Sequence, residues 1–169
     1  MNNISLDHEF VSFIRKWEDF RSKAYLDEGG VPTIGFGTIS YADGGLVKMG
    51  DEITPEQAEH ELWEDCKAYY CQLLKGLKVE QNKNQLIALL SLCYNIGPPS
   101  FLGSTLLKKL NAGVDDRDEI SEQFRRWVYV RFELSRGLVN RREDEIHQYF
   151  LTRPGIFDTM PMEAYNNSP

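Results

Sequence analysis

Two carboxyl groups and one hydroxyl near the start of the chain could together cleave a glycosidic bond. Glu18 follows an apolar-striped helical segment, and Asp27 and Thr33 come after it on a glycine-rich stretch. One acid would protonate the leaving oxygen, while the second carboxyl and the hydroxyl would position water or stabilise positive charge. Trp17 and Phe20 flank Glu18 and would exclude water, which disfavours the ionised carboxylate and keeps a proton available for transfer.

Each of these three residues also has an ordinary structural explanation. The chain has 26 acidic residues, so a single glutamate is most simply a surface charge. Asp27 precedes a glycine pair and suits a turn, and Thr33 follows a proline and suits the start of a strand. The catalytic interpretation therefore depends on the order and spacing of the three residues together.

Composition restricts the class of protein. The chain has 169 residues, of which 41% are hydrophobic, and this favours a single domain with a real core. A net charge of −7 does not suit nucleic-acid binding. No stretch approaches the roughly 20 apolar residues of a membrane-spanning helix. The first residues have neither a basic start nor an apolar block, so we expect no signal peptide, no membrane insertion and a cytoplasmic location.

Charge and cysteine are unevenly placed along the chain. Residues 51–65 contain seven acids and no lysine or arginine, whereas residues 125–142 contain six arginines and one acid. These segments either face different partners, face each other, or are simply solvated. The odd cysteine count argues against a disulfide framework, and we expect Cys66, Cys71 and Cys93 to be reduced and structural. Their spacing to histidine does not suit zinc, and no metal site is predicted.

Apolar periodicity and capping signals predict an α+β protein. Residues 5–20 should form an amphipathic helix, and residues 23–49 a hairpin or three-stranded sheet. Thr54 begins a helix with a capping box and should be followed by helix to about residue 75. Residues 84–96 are apolar on nearly every face and should form the buried centre of a helical lobe. Further helices are predicted over residues 104–110, 118–130 and 138–152.

These elements predict two lobes in one domain over residues 1–153. A small N-terminal lobe with a short sheet would span about residues 1–60, and a larger helical lobe about residues 61–153. A cleft between such lobes is a common place for a substrate site. Residues 154–169 are expected to form a poorly ordered or surface-draped tail.

Residues 17–37 resemble the active-site segment of the phage-type lysozymes, the endolysins related to the lysozyme of the T-even phages. That family's pattern is a glutamate, eight residues, an aspartate or cysteine, five residues and a threonine, which Glu18, Asp27 and Thr33 match. The similarity continues in collinear order through residues 88–97, 104–113, 126–129 and 137–143, and so covers roughly residues 10–150. An ordered set of motifs is far more specific than a lone triad.

The resemblance implies a lysozyme-like fold that hydrolyses the β-1,4 bond between N-acetylmuramic acid and N-acetylglucosamine in peptidoglycan. Glu18 would be the general acid, and Asp27 with Thr33 would position the attacking water, with inversion and without a cofactor. Tyr94 and Asn95 would contact the sugar, although core packing and a helix C-cap explain them equally well. Ser104 is a weaker substrate-binding candidate, because it also suits a helix N-cap.

The resemblance also implies a charge partner for the catalytic acid. Arg141 and Arg142 lie where the family brings an arginine towards its glutamate, and such a pair would lower the pKa of that glutamate. We favour Arg141 of the two. The alternative is a surface pair of arginines that interacts along its own helix with Glu143, Asp144 or Glu145.

In the cell, the resemblance implies a monomer used in host lysis, stored in the cytoplasm until a separate holin-type protein releases it to the wall in the periplasm. A lytic transglycosylase and a non-catalytic wall-binding protein are the alternatives; the presence of Asp27 and Thr33 favours hydrolysis. The chain departs from many relatives at three points. Thr38 replaces a histidine, Arg131-Phe132 replaces Gly-Gly, and Arg136 stands near a usual proline. We expect the connection around residues 131–136 to differ.

Overall fold

A short helix leads into the candidate site. The computed structural model describes residues 4–27 and 29–151, and helix α1 spans His8–Arg15. The helix is shorter than the predicted residues 5–20. It begins where the Asp7 side chain accepts a hydrogen bond from the Glu9 amide. It ends because the amides of Trp17 and Glu18 bond to carbonyls three residues back, which tightens the chain into a turn.

The sheet beside this turn is a two-stranded antiparallel hairpin. Strand β1 spans Arg21–Leu26 and strand β2 spans Pro32–Gly35, with Tyr25 paired to Thr33. The sequence allowed either a hairpin or a three-stranded sheet. Within residues 4–27 and 29–151, isolated bridges continue the pairing as far as residue 52, but no third strand joins this sheet. The hairpin contacts helix α2, which spans Pro55–Gly76.

Two long helices begin with capping boxes, the first of which was predicted. The Thr54–Gln57 capping box that begins α2 is confirmed. Helix α3 spans Lys83–Ile96 and begins with a second capping box, made by Asn82 and Gln85. Among the described helices it contributes the largest number of buried core side chains, and α3 contacts α1, α2 and the last helix of the described chain, α7 (Arg136–Tyr149). The apolar character of α3 on all faces is thus explained by packing on several sides.

Between α3 and α7 the chain differs from its sequence prediction. Helix α3 ends before Gly97, and Pro98 then opens helix α4, Pro98–Gly103, because proline suits the first turn of a helix. Helix α5 spans Thr105–Asn111 and α6 spans Arg117–Arg125. The helix predicted over residues 118–130 is wrong in its second half, where strands β3 (Tyr129–Val130) and β4 (Glu133–Leu134) form a small hairpin.

The architecture confirms the predicted α+β class, a helical assembly around α3 with a small hairpin beside it. Cys66 and Cys93 are buried, but Cys71 is exposed, so the packing role expected of all three holds for only two. Across residues 4–27 and 29–151, no helix combines the length and apolar character needed to cross a membrane. The tail predicted over residues 154–169 lies outside the described residues.

Candidate active site

The turn after α1 holds Glu18 against the last helix of the described chain. Trp17 donates its indole N–H to Asp144 of α7 at 3.0 Å, which fixes the residue preceding Glu18. The Glu18 side chain is 20% exposed, so it reaches solvent but is largely covered. The turn thus presents a carboxyl at the edge of the helical assembly.

The Glu18 carboxyl is bonded to a buried guanidinium. Nη1 of Arg141 donates to Oε1 of Glu18 at 2.6 Å, and only 4% of the Arg141 side chain is exposed. Burial raises the pKa of Glu18, and the charge and hydrogen bond of Arg141 oppose this rise only in part, so the pKa lies above its usual value. A raised pKa keeps a proton on the carboxyl at higher pH, as a general acid requires.

Both arginines are buried around one carboxylate on α7. Glu145 is fully buried, and its Oε1 accepts from Arg141 at 3.2 Å and from Arg142 at 2.8 Å. Ser91 of α3 donates its hydroxyl to the same oxygen at 2.7 Å, and its carbonyl accepts from Arg141. The alternative interpretation of the sequence was an arginine pair at the surface, bonded to acidic residues of its own helix. The bonds along the helix are present, but the predicted surface location is wrong. Of the two arginines, Arg141 contacts Glu18, whereas Arg142 contacts Asn95 at 3.1 Å.

The second oxygen of Glu18 faces a glycine. A Cβ added at Gly37 would lie 4.0 Å from Oε2 of Glu18 and 3.7 Å from the Tyr94 hydroxyl. Gly37 has a φ of 107°, which disfavours side chains at this position. The Tyr94 hydroxyl donates to the Phe36 carbonyl at 3.1 Å, and this bond connects α3 to the segment after β2. Oε1 is thus bonded to Arg141, while Oε2 faces Gly37.

Asp27 and Thr33 lie on either side of the turn between β1 and β2, and both side chains bond to the backbone of Val31. Oδ1 of Asp27 accepts from the amides of Gly29 and Val31, each at 2.8 Å, so this oxygen shapes the turn. The Thr33 hydroxyl donates to the Val31 carbonyl at 2.9 Å and is buried. The turn-forming and strand roles are therefore both real, and the threonine oxygen keeps lone pairs that can accept a further hydrogen bond.

Tyr25 connects the hairpin electrostatically to Glu18. Burial raises the pKa of Tyr25, Arg21 opposes this, and the charges of Glu18 and Asp27 raise it further. Both carboxyls thus add negative charge around the Tyr25 phenol.

A pocket of about 830 Å³ opens beside Glu18 on the helical side. Its walls include Asn95 at the end of α3, Trp127, the β3 strand and the start of α7. Ser104 lines a neighbouring pocket of about 460 Å³ that shares Trp127, and its hydroxyl caps α5 by accepting from the Leu107 amide. Another pocket, of about 400 Å³, lies near residues 82–85 and 149–151 and contains none of the candidate residues.

Sequence reasoning missed a partly buried carboxyl, that of Asp65. Asp65 belongs to the acidic stretch expected as a possible solvated face, yet its Oδ2 accepts from the fully buried Thr38 hydroxyl at 3.1 Å. Burial raises the pKa of Asp65 to about 6, although the Thr38 hydrogen bond acts in the opposite direction. Its position on α2, three residues after the buried Leu62, was the signal that could have placed it towards the inner face.

Comparison with known proteins gives consistent results. Residues 15–145 match the family described as phage lysozyme. The chain is 38% identical over 136 residues to an endolysin of Acyrthosiphon pisum secondary endosymbiont phage 1, covering 78% of this chain and 88% of that protein. It is 38% identical over 135 residues to a SAR-endolysin of Pseudomonas phage phiKMV, covering 78% and 79%. The solved endolysin of Escherichia coli phage FAHEc1 superimposes with a TM-score of 0.75 at 37% identity, covering 88% and 95%.

Proposed function

Because the chain belongs to the phage lysozyme family of cell-wall lytic enzymes, we propose that it hydrolyses the β-1,4 bond between N-acetylmuramic acid and N-acetylglucosamine in peptidoglycan. The observation that supports this most is the state of Glu18. Its carboxyl lies at the edge of a pocket, is four-fifths covered, and has a raised pKa despite its bond to Arg141.

Glu18 acts in this proposal as the general acid that protonates the leaving glycosidic oxygen. Oε1 is held by Arg141, so the proton resides on Oε2, the oxygen that faces Gly37. The guanidinium also stabilises the carboxylate that remains after proton transfer. A fixed side-chain orientation reduces the entropy lost in reaching the transition state.

Asp27 and Thr33 position the attacking water. Oδ1 of Asp27 is engaged by two amides, which leaves Oδ2 to accept a proton from water, and the Thr33 oxygen can accept a second hydrogen bond from the same molecule. Attack by water from the face opposite the acid inverts the anomeric carbon. This mechanism requires the two carboxyls to be separated by about 6.5–9.5 Å.

Asn95 is the better supported of the sugar-binding candidates. Its Oδ1 accepts from Arg142, so its amide N–H groups point away from that bond and can donate to an acetamido carbonyl in the pocket. Tyr94 supports the site through its bond to Phe36, and its partly buried ring is a second candidate for sugar contact. Ser104 stays a candidate only for the neighbouring pocket that it lines.

In the cell, the proposal places the enzyme as a monomer that reaches the wall when a holin-type protein opens the membrane. Its substrate is the glycan strand of peptidoglycan. The alternative of a lytic transglycosylase uses a single acid–base glutamate, and the presence of a second carboxyl with a hydroxyl on the hairpin favours water as the nucleophile.

Product analysis of purified sacculi tests the proposal. Hydrolysis would release muropeptides that end in reducing N-acetylmuramic acid, detected by mass spectrometry, and the first-formed anomer would be α by NMR. Products that lack one water and carry an anhydro-sugar would instead establish a transglycosylase. Retention of the β-anomer would contradict the assigned role of Asp27.

A further inference from the structure

The two residues in the turn between β3 and β4 have a backbone conformation that is unfavourable for residues with a side chain. Arg131 and Phe132 have φ values of 48° and 71°, and the strands pair directly on either side of them. Two-residue turns of this kind select Asn-Gly or Gly-Gly, because a Cβ is strained at positive φ. Two non-glycine residues in this conformation are uncommon, and such strain is concentrated at functional sites.

The same hairpin exposes an unusual amount of apolar surface. The Phe132 side chain is 100% exposed, Tyr129 is 62% exposed and Leu134 is 60% exposed. Arginines 126, 131 and 136 are also exposed and lie on or next to this hairpin. We call residues 129–134 the hairpin arm. Aromatic rings together with guanidinium groups on an exposed element are typical of a binding surface.

The hairpin arm forms one wall of the pocket that contains Glu18. Tyr129, Val130 and Arg131 line this pocket together with Trp127. A polymer bound with one linkage at Glu18 extends beyond a pocket of about 830 Å³ and must leave it along one of its walls. The exposed rings of the arm therefore lie where additional sugar or peptide units could be held.

We propose that the hairpin arm binds the peptidoglycan strand beyond the linkage at Glu18, with its aromatic rings on the sugar faces, while Arg131 and the flanking Arg126 and Arg136 face stem-peptide carboxylates. This inference rests on the proposed function. Sugar rings present C–H faces that pack on aromatic side chains, and guanidinium groups bind carboxylates through paired hydrogen bonds. The local positive charge also attracts an anionic polymer although the whole chain carries a net charge of −7.

Replacing the two turn residues separates a binding role from a structural role. The double substitution Arg131→Asn and Phe132→Gly installs the sequence that this turn prefers, so we expect the Tm to rise by about 4 °C. In a Glu18→Gln background, which prevents cleavage, we expect roughly tenfold weaker binding to purified sacculi in a pelleting assay. Leu46→Asn, at an apolar residue that is 70% exposed outside the pocket, is the matched control and should leave sacculus binding unchanged.

Tyr129→Thr provides a second variant that keeps a strand-forming residue and removes a pocket-lining ring. It should weaken sacculus binding about threefold without the gain in Tm. Undiminished sacculus binding by both variants would overturn the proposal. Binding to vesicles of phosphatidylglycerol that depends on Phe132, without binding to sacculi, would also overturn it and assign the arm to a membrane surface.

The experiments distinguish a failure of the proposed binding by the hairpin arm from a failure of the proposed hydrolysis. If the wild-type protein binds sacculi through the arm but releases no muropeptides, the proposed hydrolysis fails while the binding comparison still supports the arm. If the wild-type protein releases muropeptides and the variants bind sacculi equally well, hydrolysis stands and the arm is rejected.

Discussion

Glu18 experiences two opposing influences on its protonation. Burial disfavours the charged form, while the Arg141 guanidinium at 2.6 Å favours it, and burial has the larger effect. The spacing of Glu18, Asp27 and Thr33 was enough to identify the candidates from sequence. The choice between Arg141 and Arg142 was not decidable in this way, because adjacent residues on a helix differ only in direction.

Removing Arg141 should shift the pH dependence of activity. The general acid works only while protonated, so its pKa sets the alkaline limb of the rate profile. Arg141→Gln takes away the charge that lowers this pKa, and the alkaline limb should move to higher pH, measured as kcat/KM on soluble muropeptide chains. Arg142→Gln, which leaves the contact with Glu18 intact, should move it less; equal shifts in the two variants would contradict the assignment.

Asp65 should make the protein less stable at neutral pH than at acidic pH. Its folded-state pKa is raised from 3.8 to about 6, so the folded state favours the protonated form. The stabilising contribution of this proton is fully present below about pH 4 and is lost as the pH rises through about 6. Asp65→Asn should therefore be more stable than the wild type at pH 7 by about 1 kcal/mol, after allowance for solvent screening.

Thermal unfolding at several pH values checks this prediction. The Tm difference between Asp65→Asn and the wild type should shrink as the pH falls from 7 to 4. Thr38→Val, which removes the hydroxyl that donates to Asp65, is a useful comparison because it should lower stability most at neutral pH. A Tm difference that does not change with pH would show that Asp65 ionises normally in the folded protein.

At the scale of elements, packing between α3 and α7 positions Glu18, the proposed general acid. Ser91 and Glu145 hold the Arg141 guanidinium, and Arg141 holds Glu18 in turn.

Capping signals predicted the starts of α2 and α5 well, because caps are local. Apolar spacing predicted α1 and α6 to be longer than they are. Trp17 and Trp127 continue the helical spacing of α1 and α6, but each bonds to a carbonyl three residues back, in the turn that ends its helix.

Loss of the buried carboxylate between α3 and α7 should destabilise the whole fold. Glu145→Gln leaves two buried guanidinium groups with reduced compensation, and the free energy of unfolding should fall by about 3 kcal/mol. Glu143→Gln is a matched control on the same helix. Its partner Arg125 is about half exposed, so the loss should stay below about 1 kcal/mol. Chemical denaturation measures the free energy of unfolding of both variants. Similar losses in the two variants would contradict the claim that burial makes the Glu145 carboxylate more important for stability.

At the scale of the whole molecule, the site assembles from distant parts of the chain. Glu18 and Arg141 are 123 residues apart in the sequence, and the pocket that both line also includes residues of α3 and the hairpin arm. Periodicity predicts that α3 is central, but it does not determine which residues of other helices meet around it. The proposed division into lobes near residue 60 falls within α2, which contacts both the hairpin and the helical core.

The structure explains part of the uneven distribution of charge along the chain. The arginine-rich segment is not one solvated face, because Arg141 and Arg142 are buried while Arg126 and Arg136 are exposed. The sequence therefore predicted the fold class and the catalytic candidates, but not which charges are internal. That distinction requires the tertiary contacts, since charge and spacing are similar in both groups.

Digestion of purified sacculi by Glu18→Gln, compared with the wild type, tests the central claim most directly. Glutamine keeps the shape of the side chain but cannot supply the proton, so release of muropeptides should fall by about 10³-fold while the Tm stays at or above that of the wild type. Glu59→Gln, an exposed glutamate on α2, should digest sacculi at the wild-type rate. Digestion by a folded Glu18→Gln protein at the wild-type rate would contradict the account.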